Sequence, residues 1–449
     1  MTQAEPLTTR AGAFCLLGCA LVMSALYLHP AHAAPDTPAT TQRVSVGSNG
    51  AEATGESSYP SVSADGHVVA FASSAANLVA GDNNDSVDVF VKDCNTGALV
   101  CASVSISGAP ASGASFSAAI SSDGQRVVFA SEGSDLVAGD TNEIADVFVR
   151  DLAAQTTIRI SSSASGQEAD GASSAPRISA DGRFVAFVSE ATNLVPGDTN
   201  ERPDVFVRDL LTGVVERISQ SANGAPADGP SEGAAISADG RYVAFASSAM
   251  NLIAGENTSG APQVWDVYVR DRTAGTTVRA SASTAGGKGN GHSFLPAICA
   301  DGRYVAFASE ATNLISSDLD AQADVFRRDL QTGTTARVSI GPGGIEPTGA
   351  SIRPSISADG RFVVFESSAA NLVADPAPEQ STWTYVRDMQ NGSVARVVAA
   401  SAEPLPGGGT VCPALSADGH WVAFSSSEPT LVAGDSNALG DVFLRGPLP

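Results

Sequence analysis

The side chains best spaced for chemistry are acidic, and they recur. The pattern Asp-x-Asn/Asp-x-x-x-Asp occurs as Asp82, Asn84 and Asp88; Asp140, Asn142 and Asp146; Asp198, Asn200 and Asp204; Asp318, Asp320 and Asp324; and Asp435, Asn437 and Asp441. Oxygen donors at the first, third and seventh places of a tight loop can converge on a hard cation such as Ca²⁺, with carbonyls and water completing its shell. The match is partial, since the helix–loop–helix calcium signature also needs a central Gly and a terminal Glu. The same residues have a structural use: Asp and Asn bond their own backbone in turns, and the last Asp can anchor the start of a strand. Two further copies depart from the pattern, where Glu256 leads an insertion and Trp383 replaces the last Asp.

Other chemistry is sparse. His67, His292 and His420 are scattered by position, which argues against a multi-histidine metal site. His67 and His420 share one turn position, where three other copies carry Arg183, Arg241 and Arg303, and read as surface histidines. No Gly-x-Ser-x-Gly elbow and no phosphate-binding glycine loop is present. Carboxylates are abundant, yet no spacing singles out an acid/base pair, so no catalytic residue is assigned. Trp265, Trp383 and Trp421 could stack on sugars, although Trp421, following a turn, reads as packed.

These residues are set in a repeat. Ser/Cys-Ala/Ser-Asp-Gly recurs with aspartates at Asp65, Asp123, Asp181, Asp239, Asp301, Asp359 and Asp418, at intervals of 58, 58, 58, 62, 58 and 59 residues. Fixed-period similarity of this kind decides the architecture. Four residues after each Asp stands Val and six after stands Phe, as in Val185 and Phe187, so both lie on one face of a strand. A short strand precedes the turn, a third follows about 23 residues later as Asp-Val-Phe-Val-Arg-Asp, and a fourth carries Arg-Ile-Ser after a Thr-Gly turn. Four short antiparallel strands make a propeller blade. The fold expected is all-β, a single seven-bladed propeller. The last copy ends after its third strand, and Arg43-Val44-Ser45, 22 residues before Asp65, is expected to complete it as 3+1 closure.

The repeat resembles the WD-like β-propeller repeat of TolB-type proteins, with Ser-Ala-Asp-Gly-Arg-Phe-Val-Ala-Phe at Ser179 to Phe187 and Asp-Val-Phe-Val-Arg-Asp at Asp204 to Asp209. The resemblance covers Arg43 to Arg445 and implies a fold far more than an activity. Relatives of that kind include envelope components, peptidase propellers and polysaccharide lyases. This sequence has neither the N-terminal α/β domain of TolB nor a hydrolase domain, and it has seven copies in place of six, so those functions do not transfer.

Arg10, the apolar run Ala11 to Leu28 and Ala31-His32-Ala33 predict a secretory signal over 1–33, a linker over 34–42 and the propeller over 43–449. A periplasmic or secreted protein follows, with no membrane attachment after cleavage. Cys94 and Cys101 flank a hairpin turn and could bridge in an oxidising compartment, while Cys299 and Cys412 have no evident mates. Hydrophobic residues at 43% and charged residues at 16% describe a globular chain, and a net charge of −23 argues against nucleic acid and anionic membranes. The function expected is a non-enzymatic binding or scaffolding module, a monomer taking a protein or carbohydrate ligand on the face with the longer loops. The alternative is a carbohydrate-active hydrolase or lyase working with carboxylates at the channel mouth.

Overall fold

A computed structural model describes residues 39–255, 264–375, 381–398 and 409–448; the segment read as a secretory signal lies outside them. Among the described residues the chain forms twenty-eight strands and one short 3-10 turn, Pro342–Gly344. The strands make seven separate four-stranded antiparallel sheets. Blade 1 runs Ser57–Val62, Val68–Ser73, Asp88–Asp93 and Leu99–Cys101, and five more blades follow the same order along the chain. In the seventh sheet Val411–Leu415, Val422–Ser426 and Asp441–Gly446 are joined by Thr40–Arg43 as outer strand, with Arg43 opposite Phe443. That strand begins at Thr40, inside the stretch expected to be linker, because its first residues pair with Arg445 and Gly446.

The first strands of all seven blades touch their neighbours in cyclic order, the seventh touching the first, so the blades form a ring with these strands innermost. The Val and Phe positions fill the sheets. Phe71 pairs with Phe90 in register, as do the equivalent residues of every other blade through Phe424 and Phe443, with ring centroids 5.7 to 6.0 Å apart. Each buried phenylalanine contributes about 1.5–3 kcal/mol, enough that the fold needs no cross-link. Cys94 and Cys101 are in fact free. Cys101 sits opposite Phe90, four residues back along the third strand from Cys94, roughly 13 Å at strand rise, well beyond the reach of a disulfide.

The Asp-Gly turn joins blades as well as strands. Ser63 Oγ donates to Asp65 and accepts from the Val68 N–H, which satisfies the turn internally. The glycine has positive φ in every copy, and a Cβ there would meet the residue that follows the turn in the preceding blade: Phe184 against Gly240, Tyr242 against Gly302, Trp421 against Gly66. One residue before the Asp, backbone N–H groups donate blade to blade, from Ala64 to Ser122, Ser122 to Ala180, Ala180 to Ala238, Ala238 to Ala300, Ala300 to Ala358 and Ala358 to Ala417, at 2.8 to 3.3 Å. These bonds cross six of the seven blade junctions, and a ring of seven strands at the roughly 4.8 Å spacing of bonded strands is about 11 Å across between backbone centres.

Each innermost strand also breaks register once, for example between Ser58 and Ser61. The residue within the break has positive φ in all seven blades: Tyr59, Ser117, Ala175, Gly233, Leu295, Arg353 and Cys412. A bulge of this kind re-aims a side chain out of the sheet.

Candidate functional site

The acidic loops lie where the sequence places them, before the third strand, and they converge on a cation that the chain itself supplies. In blade 2 the Arg159 Nη1 stands 3.3 Å from Asp140, 3.4 Å from Asp146 and 2.7 Å from Glu168. Arg337 holds Asp318, Asp324 and Glu346 in the same way at 3.0, 3.4 and 3.2 Å. Arg43 holds Asp435, Asp441 and Glu52, and Arg217 lies 3.1 Å from Asp198. These arginines are the outer-strand arginines of the repeat. The carboxylate oxygens of Asp140, Asp146 and Glu168, and of Asp318, Asp324 and Glu346, lie within 4.8 Å of one another, close enough to hold a metal ion. In both trios a guanidinium already provides the opposite charge.

The rest of the pattern is architecture. Asn84 donates to Asp88 and to the Ala111 carbonyl, Asn142 to Asp146 and Ala169, and Asn200 to Asp204 and Ala227, tying this loop to the one that enters the next blade. Asn437 does so through Ala53, and Asp320 accepts from the Gln322 N–H. The last aspartates are fully buried and each accepts a serine hydroxyl, Ser103 on Asp88 and Ser161 on Asp146 among them. Burial pushes Asp88 and Asp204 up to about 6 and Asp324 up to about 7, against the partial relief their serine partners give.

Three blades modify the arrangement. Blade 1 has no outer-strand arginine: Cys101 occupies its register position, and among the described residues no arginine pairs with Asp82 or Asp88. Burial raises both carboxyls; Asp82 raises Asp88 further, and Asp85 raises Asp82. In blade 4 Asp266 meets Arg279 and Lys288, each at 3.3 Å; the insertion at Glu256 is outside the described residues. In blade 6 Arg396 stacks on Trp383, 5.6 Å from the ring centroid, and reaches Asp375 at 2.6 Å. Trp383 is therefore core and not an exposed stacking face.

The second candidate site is the central channel, which sequence reasoning missed. Its wall is the seven innermost strands, and their residues mostly repeat as small or apolar types. The departures are Arg177, Glu232, Arg353 and Cys412, together with Tyr59 at 56% exposure. Behind the wall, Glu366 replaces the alanine, valine or serine of the other second strands and is 2% exposed. It accepts from Arg353 Nη1 at 3.2 Å and from the Cys412 N–H at 2.5 Å. Desolvation pushes the Cys412 thiol up to about 11. The signal for these residues was present in the aligned copies: Arg177 stands where the others have Ser61, Ala119, Ala235, Ala297, Ser355 and Ala414.

The histidines hold structural posts. His67 packs against Trp421 with ring centroids 5.5 Å apart, His420 Nδ1 lies 3.1 Å from the Leu448 carbonyl, and His292 Nδ1 accepts the Trp265 N–H. His67 and His420 are half-buried, not fully at the surface as expected, because each is covered across a blade junction or by the C-terminal residues.

No protein-family model matches this chain, and no curated protein matches it. Among solved structures it is similar to the β-propeller domain of the trilobed protease from Pyrococcus furiosus, at 14% identity over 88% of this chain and 94% of that one, with TM-score 0.53. An oligogalacturonate lyase in complex with manganese overlays at 14% identity, 92% and 97% coverage and TM-score 0.52. A TolB from Agrobacterium tumefaciens overlays more loosely, at 16% identity, 79% and 95% coverage and TM-score 0.42. What is shared is the propeller fold. Among the described residues no helix is long and apolar enough to cross a membrane.

Proposed function

We propose that this chain is an exported binding module whose ligand enters the central channel from the face bearing the longer loops. The observation that carries it is the distribution of departures from the repeat. Most positions of the repeat keep one residue type, and four charged departures, Arg177, Glu232, Arg353 and Glu366, stand on the channel wall and behind it. Variation supported on a rigid scaffold is how binding sites are built. A protein segment or a carbohydrate chain fits a mouth of this kind, and a soluble monomer is the expected form. Binding of wild-type protein to an array of glycans and peptides tests the reading; turnover of a polysaccharide in place of stable binding would replace it with the hydrolase or lyase alternative.

The acidic loops enter this proposal as support. In five blades an arginine or an arginine–lysine pair neutralises them, and calcium would have to displace it. Blade 1, where Cys101 stands in the arginine's place, is where Ca²⁺ is proposed, between Asp82 and Asp88 with Asn84 alongside. A chelator should lower the melting temperature of the wild-type chain if calcium is held there, and D82N should abolish that response. An unmoved melting temperature removes calcium from the proposal.

A further inference from the structure

The central channel contains two wall arginines, and they differ in one respect. Arg353 is paired with the buried Glu366. Among the described residues Arg177 has no carboxylate within ion-pair distance; its guanidinium donates 2.8 Å to the carbonyl of Pro176, its own neighbour. The side chain is exposed on the inner strand of its blade, and a guanidinium with no carboxylate partner has its fork of N–H donors free for an anion. The surrounding wall leaves room: the equivalent positions are alanine or serine, and Ser61 and Ser355 already accept the N–H groups of Ile120 and Leu415 in the next blades.

Position along the axis adds to this. Arg177 lies near the turn end of its strand, close above the belt of blade-to-blade hydrogen bonds through Ala180 and Ala238. The bonds draw the strands together at that end, and the guanidinium sits close to it. Glu232, on the next innermost strand, lies three places nearer the open mouth when the copies are aligned, and it makes no ion pair with Arg177.

We propose that the channel binds an anionic small molecule, presenting a carboxylate or a phosphate, with Arg177 as the residue that receives the charged group. The planar fork of guanidinium matches either anion with two parallel hydrogen bonds. Arg353, three blades away around the ring, offers a second and weaker positive face because Glu366 already holds it. This inference rests on the channel being the place of binding, and it adds the class of ligand.

The test is titration of the full-length mature protein with inorganic phosphate and, separately, with succinate, followed by calorimetry and by backbone NMR shifts of the innermost strands. Saturable binding that moves the Arg177 and Ile178 resonances is expected, and the tighter of the two probes identifies the headgroup. R177A should weaken that binding at least tenfold at an unchanged melting temperature, since alanine is the residue other blades carry there. R177K should recover part of the affinity, and R202A, at an exposed loop arginine, should change nothing. Binding of either anion that is equal in wild type and R177A overturns the proposal. So does the absence of saturable binding of both probes. If an array ligand still occupies the channel in that last case, the binding-module reading stands and only the anion assignment falls; if no ligand of any class is found, both fall.

Discussion

Trp421 of blade 7 lies against Gly66 of blade 1, so that a Cβ added to the glycine would stand 2.2 Å from the indole. Gly66 also has φ +78. Conformation and packing therefore both require glycine there. Gly50 has the same φ and nothing within 4 Å, which separates the two causes. G50A should cost about 1 kcal/mol, the left-handed penalty alone, and G66A about 3 kcal/mol or more, with the clash added. Urea denaturation of the two variants measures the difference; equal losses would mean that the blade 7 to blade 1 contact contributes nothing.

Arg159 is the counter-charge of three carboxylates and is itself nearly buried. R159M should destabilise the chain by about 3–5 kcal/mol, because it leaves Asp140 and Asp146 buried without a partner. The vacated trio then has the oxygens for a divalent ion, so added Ca²⁺ should raise the melting temperature of R159M more than that of the wild type. Calorimetry with and without calcium reads both effects.

Among the described residues the pair Arg353–Glu366 has no counterpart in other blades. E366A should destabilise by about 3 kcal/mol, since it strands the guanidinium and the Cys412 N–H. R353A/E366A, which restores the apolar character of the neighbouring copies, should recover most of that loss. A double-mutant cycle by chemical denaturation gives the coupling, and additive losses would show that the two side chains act independently.

Stability should depend on pH in two opposed ways. Burial raises Asp324 to about 7 and Asp204 to about 6, from 3.8. The folded chain binds those protons more tightly than the unfolded one, so their contribution is full below pH 3.8 and is lost as pH rises to about 7. Asp209 and Asp329 run the other way: Arg183 and Arg303 hold them below the usual carboxylate range, and their contribution is lost as pH falls below 3.8. The melting temperature should therefore be higher at pH 5 than at pH 8, and D324N should lose less over that interval than the parent. Differential scanning calorimetry across the range checks both.

The four cysteines at 94, 101, 299 and 412 are free, and burial raises the first three thiols to about 12. Native protein at pH 8 should react slowly with a maleimide, and unfolded protein should expose all four. Rapid labelling of native Cys94 or Cys101 would contradict the packing described here.

Much of this fold was legible because each copy states the same thing again. Val185 and Phe187 announce a buried strand face, and six other copies repeat the spacing. The acidic loops were legible as an oxygen cluster. Their occupant was not, although Arg159 was visible as part of the outer-strand motif. The missing fact was spatial: outer and third strands pair so that Arg159 stands opposite Phe148, with its head between Asp140 and Glu168. The channel was harder. A register break at one residue turns a side chain from sheet to lumen, and nothing local in Tyr59 or Arg353 marks that break. It arises from packing seven strands around one axis.

The seven bulge residues, from Tyr59 to Cys412, already differ in size, charge and polarity while the strands that carry them keep one geometry. Their side chains have been released from the duty of filling a blade. Apart from Arg353, which Glu366 needs as its partner, selection can exchange them with little penalty to folding, so descendants of a single scaffold can acquire new preferences by substituting at these seats alone.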